Sequence, residues 1–166
     1  VSIFFTGLAL GAAFGGRFFD RRRNPALAYA GLEVAIGLTA AAVPFLFELG
    51  DTALGYVATA DSPALLIASA TAVLIVPTTL LGATFPAMAA VLAGERNATQ
   101  TTALFYGANT LGAVLGCLVS SFVLIPAWGQ LVTNLGLVGV NLTAAAAMIA
   151  LSRTASARTT SRSRVR

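Results

Sequence analysis

Five stretches of this sequence are long enough and apolar enough to cross a hydrocarbon core of about 30 Å at 1.5 Å rise per helical residue. They run from Val1 to Phe19, Ala26 to Leu49, Pro63 to Ala93, Ala103 to Ile125 and Leu131 to Leu151. Their Ala, Leu and Gly content is high and their β-branched content modest, which suits helices. Barrel strands would alternate polar and apolar residues over about ten positions, and these stretches do not. Of the 166 residues, 57% are hydrophobic and only 10% charged, against about 25% charged in ordinary soluble domains. The mean hydropathy of +0.86 therefore calls for a surrounding other than water, and lipid is the simplest. The expectation is an all-α polytopic transmembrane bundle of five helices over 1–151. The basic stretch 152–166, without apolar periodicity, reads as a disordered tail. Val1 is not a start methionine and no charged region precedes the first apolar run, so the chain reads as a piece of a longer membrane protein.

The charges between these stretches orient the bundle. Arg21, Arg22 and Arg23 follow the first stretch, Glu95 and Arg96 follow the third, and Arg153, Arg158, Arg162, Arg164 and Arg166 follow the last. The second connection carries Asp51 and Asp61 and no base, and the short fourth, around Trp128, is uncharged. All basic connections fall on one side, and the positive-inside rule makes that side cytoplasmic: loop 20–25, loop 94–102 and the tail. Directly after a membrane helix, the tail arginines read as ligands for anionic lipid, at about 1 kcal/mol each, and not for nucleic acid.

Absences narrow the chemistry. The chain has no His, which excludes a Ser-His-Asp triad and any His-ligated metal. It has no Lys, which excludes a Schiff base and a phosphate-loop lysine. The single Cys117 cannot form an internal disulfide and reads as a small buried hydrophobe. No G-x-G-x-x-G occurs. No cofactor or metal is expected, and by itself the chain does not read as an enzyme.

Two features speak to helix packing. The third stretch would reach about 45 Å as a straight helix, and it contains Pro77 and Pro86 within "VPTTLLGATFP". Proline removes a backbone donor and crowds the preceding turn, so a kink or break is expected. Thr78, Thr79 and Thr84 could satisfy the freed groups, either in a tilted packing helix or in a broken helix lining a cavity. Small residues at steps of four, Gly7–Gly11–Gly15 and Gly112–Gly116–Ser120, mark two stripes where helix backbones can approach closely.

The connection "GGRFFDRRRNP" holds five charges in seven residues. Gly16, Asp20 and Arg21, with Arg22 and Arg23 after them, resemble the loop between the second and third helices of the major facilitator superfamily, patterned G-x-x-x-D-R-x-G-R-R/K. Arg23 stands where that pattern has Gly and Asn24 where it has a base; Asn24-Pro25 reads as the start of the next helix. A wider resemblance runs through all five stretches. "GLALGAAFGGRFFDRRRNPALAYAGLEVAIGL", "PTTLLGATFPAMAAVL" and "LFYGANTLGAVLGCLVSSFVLIPAWG" are similar to the membrane part of bacterial spermidine synthase-like membrane proteins. The resemblance implies a facilitator-type helical half in the bacterial inner membrane, fused to an aminopropyltransferase-type domain beyond Arg166. It implies a polyamine-like small cation as substrate or product, and it carries over no catalytic residue. Half of a facilitator-type transporter without a synthase domain is the alternative.

Polar residues inside the stretches are the candidate binding groups. A carboxylate at mid-membrane costs on the order of 3 kcal/mol and faces the bundle interior. Glu33 is such a group. It would bind a cation or proton, or else form a packing contact with Asn109, Thr110 or Arg17. Asn109 and Thr110, with Thr78 and Thr79, complete the candidate substrate-binding set. Asn134 and Asn141 read as amides that hydrogen-bond between helices, worth roughly 0.6 to 2 kcal/mol each.

Overall fold

A computed structural model describes residues 1–19, 24–55, 63–93 and 97–163. The described residues form helices and no strand: α1 (Ser2–Phe19), α2 (Pro25–Gly55), α3 (Pro63–Gly82), α4 (Thr84–Leu92), α5 (Ala98–Val119), a π-helical turn (Ser120–Leu124) and α6 (Ile125–Ser163). The Asn24 side chain accepts from the Leu27 amide at 3.2 Å, capping α2 with Pro25 in the first helical position, where its missing N–H costs nothing. The expected break in the third stretch falls at Ala83, between α3 and α4. Pro86 lies three residues on, and its ring crowds the turn before it. Pro77 is accommodated within α3.

Among the described residues, four helical stretches are long and apolar enough to cross a membrane: Ser2–Phe19, Pro25–Gly50, Ile67–Leu92 and Ala98–Thr154. The expected count of five is not met, because the fourth and fifth stretches join into 57 residues of helix. The turn expected around Trp128 reduces to a kink at Gly129 (φ 78°, ψ 167°), a backbone conformation open to glycine and strained for other residues. Helix also runs past the expected end at Leu151 to Ser163. Residues 152–163 contain neither Gly nor Pro, so nothing stops a helix already nucleated by the span before it.

Helix directions follow from the contacts. A Cβ on Gly7 would meet Thr78, one on Gly11 would meet the Thr79 carbonyl and Gly82, and one on Gly15 would meet Ala83 and Pro86. The numbers rise together, so α1 runs parallel to α3. In contrast, Gly37 of α2 faces Val138, Asn141 and Leu142 of α6, whereas the later Ala40 meets the earlier Asn134, so α2 and α6 are antiparallel. The C-terminal ends of α1 and α4, the N-terminal end of α2 and the end of the α6 span therefore lie at one end of the bundle. Phe85 of α4 packs edge-on against Tyr106 at a ring separation of 5.6 Å, so α5 starts back alongside α4.

The core is small: Phe19, Leu32, Ile36 and Ala87, with Tyr29, Leu80 and Ala83 against it. The total accessible surface is 11,500 Å², well above the roughly 7,600 Å² of a soluble monomer of this mass. Exposed large apolar side chains occur on every helix, and α5 has no buried residue at all; Leu104, Leu111 and Leu118 are all exposed. Cys117 is exposed there as well, against the expectation of burial. Such a surface is stable in hydrocarbon and not in water.

Candidate functional site

Glu33 is 7% exposed. It shares a face of α2 with Ala30, Gly37 and Ala40, and the antiparallel register of Gly37 with Asn141 continues one turn to set Glu33 opposite the buried Ala145. The Tyr29 hydroxyl, one helical turn earlier, is the neighbour with which the Glu33 carboxylate interacts. The neighbour is thus local, whereas the packing alternative named Asn109, Thr110 or Arg17. Asn109 and Thr110 are exposed on α5, and the Thr110 hydroxyl donates to the Tyr106 carbonyl of its own helix at 2.9 Å.

The two threonines beside Pro77 are also engaged. The Thr78 hydroxyl donates to the Leu74 carbonyl at 2.7 Å, and that of Thr79 to the Ile75 carbonyl at 2.6 Å. Thr78 is buried under Gly7 of α1, whereas Thr79 lines an open groove. The candidate substrate-binding residues therefore fall in three places: Glu33 toward α6, Thr78 and Thr79 toward α1, and Asn109 with Thr110 on α5. Of the loop motif, Gly16 ends an open face of α1 with nothing within 4 Å of an added Cβ; Asp20, Arg21, Arg22 and Arg23 lie outside the described residues.

Three further features were not read from the sequence. Pro44 lies inside α2 and removes the donor that the Ala40 carbonyl would have had; the Asn134 amide of α6 supplies one at 2.9 Å. The neighbouring Thr133 is buried and its hydroxyl has no partner among the described residues. Arg17 borders the open groove. The proline at 44 was the available signal for the Ala40 contact, as the spacing Tyr29-x-x-x-Glu33 was for the neighbour of Glu33. No cluster of three or more His, Cys, Asp or Glu able to hold a metal occurs among the described residues.

Compared with protein-family models, with curated proteins and with solved structures, the chain matches none.

Proposed function

We propose that the chain is the membrane module of a bacterial spermidine synthase-like protein, and that it anchors an aminopropyltransferase-type domain at the cytoplasmic face of the inner membrane. The observation that carries this reading is how the intramembrane polar groups are used. Asn134 donates to Ala40 across two helices, Glu33 has Tyr29 of its own helix beside it, and Thr78, Thr79 and Thr110 donate to carbonyls of their own helices. These groups are engaged within and between helices, and they do not converge on a shared cavity. The shared end of α1, α2, α4 and the α6 span borders the connections that hold Arg21–Arg23 and Arg96, and on this reading it faces the cytoplasm.

The 57-residue helical stretch would reach about 86 Å if straight, nearly three times the hydrocarbon thickness. We take it to cross twice, with Gly129 as the turning point, which makes five spans of a facilitator-type half.

Membrane insertion and anchoring are tested together on the full-length protein. It should resist alkaline carbonate extraction, and a reporter fused at its C-terminus should remain cytoplasmic. Labelled spermidine should bind wild type and Glu33→Gln proteoliposomes equally. Extraction by carbonate overturns the membrane reading. Loss of spermidine binding in a folded Glu33→Gln variant replaces anchoring with cation handling. The runner-up, half of a facilitator-type transporter, draws on the face of α5 that carries Gly112 and Gly116, which have nothing within 4 Å and so leave a close-packing face open to a second half.

A further inference from the structure

α1 packs on α3 and α4, and α2 packs on the same two helices, which leaves a furrow between α1 and α2 with α3 as its floor. The furrow is an open cavity of about 490 Å³. Gly11, Phe14 and Gly15 form one wall, Leu32 the other, and Leu80 and Ala83 the floor. Gly11 and Gly15 turn their bare faces to Thr79, Gly82 and Ala83, which seats α1 directly on the floor, while Phe14, Phe18 and Phe19 edge the opening. Arg17, in the last turn of α1, is its only charged lining residue among those described. Thr79, the one hydroxyl in the lining, donates to its own helix.

Apolar walls with a single cation at one end suit a ligand with a hydrocarbon body and an anionic head. From Gly11 to Arg17 the groove runs about 9 Å along α1, more than half of one leaflet's hydrocarbon depth of about 15 Å. Arg17 sits at the helix end, where an arginine snorkels to headgroup level. Among the described lining residues there is no acid to receive the ammonium of a zwitterionic headgroup. We propose that this groove is a binding site for an anionic phospholipid, one acyl chain lying between α1 and α2 and the phosphate on the Arg17 guanidinium. The proposal rests on the membrane reading, and it concerns a lipid seated in one place and not bulk solvation of the bundle.

The test uses the full-length protein with benzoylphenylalanine in place of Phe14, which lines the groove and is itself exposed. The protein is reconstituted in equal phosphatidylglycerol and phosphatidylcholine, irradiated and weighed by mass spectrometry. Phosphatidylglycerol adducts should dominate. Arg17→Gln should lower the ratio of phosphatidylglycerol to phosphatidylcholine adducts about fivefold, the weight of one cation against anionic lipid, whereas Arg17→Lys should keep most of it. Equal labelling by the two lipids overturns the proposal, as does an Arg17→Gln ratio equal to wild type. Crosslinks to a second protein chain would assign the groove to helix packing instead. Carbonate extraction of the same sample separates these outcomes from failure of the membrane reading.

Discussion

The side-chain amide of Asn134 donates at 2.9 Å to the Ala40 carbonyl, the carbonyl that Pro44, four residues on, deprives of its helical donor. An unsatisfied carbonyl in hydrocarbon is costly, and interhelical hydrogen bonds in membranes are worth about 0.6 kcal/mol on average and up to about 1.7. Asn134→Leu should lower stability by about 1 to 2 kcal/mol in reversible unfolding. Pro44→Ala restores the donor within α2, so adding Asn134→Leu to that background should cost clearly less. Additive losses in this double-mutant cycle would mean that the contact is incidental.

The crossing of α1 and α3 is made between backbones. A Cβ on Gly11 would collide with the Thr79 carbonyl, and one on Gly82 with the backbone of Leu8. Gly11→Leu and Gly82→Leu should each separate the helices and cost on the order of 3 kcal/mol or more, as overpacking against backbone does. Gly16→Ala, with nothing within 4 Å, is the matched control and should be neutral or slightly stabilising. Thermal unfolding in detergent that ranks Gly16→Ala with the other two would discredit the crossing.

Cys117, the sole cysteine, is exposed in the last turn of α5, where the apolar helix continues through Ser120–Leu124 into α6. Maleimides react with the thiolate, which forms in water. A membrane-impermeant maleimide should leave Cys117 unmodified in intact membranes and modify it fully after denaturation in dodecyl sulfate. Rapid labelling in the membrane would place α5 against water.

Asn97-Ala98-Thr99 is a glycosylation sequon at the start of α5, and Asn97 is exposed. On the cytoplasmic side it is out of reach of the glycosylation machinery. Expressed in a glycosylating host behind an added N-terminal helix, the chain should stay unmodified there. An acceptor placed in a lengthened 51–61 connection should be modified. The opposite pattern would invert the orientation.

Apolar length alone located the helices, and the Asn24-Pro25 cap and the strain before Pro86 were legible because each acts within one turn of chain. The Gly7–Gly11–Gly15 stripe was legible as a surface for close approach, and it is buried against α3. Gly112–Gly116–Ser120 has the same spacing, yet Gly112 and Gly116 touch nothing. Spacing tells which backbone can be approached and not which helix arrives. Polar contacts were legible in kind and not in partner. Asn134 read as an amide bonding between helices, and it bonds Ala40; for Glu33 the packing alternative named distant residues although Tyr29 stood one turn away, and the connection at 126–130 looked like a loop although one glycine carries the kink. Tertiary partners of polar groups depend on register between helices, which no single stretch encodes.

The Asn134–Ala40 bond spans 94 positions of sequence, and that distance is also an interval of time. At a synthesis rate of about 5 to 20 residues per second, Ala40 leaves the ribosome roughly 5 to 20 seconds before its donor. Through that interval the turn before Pro44 lacks its helical donor and has only α2 to hold it. α6 is therefore the span that locks the earlier α2, and a nascent chain halted before Asn134 would carry a helix whose Ala40 carbonyl has no donor to close it.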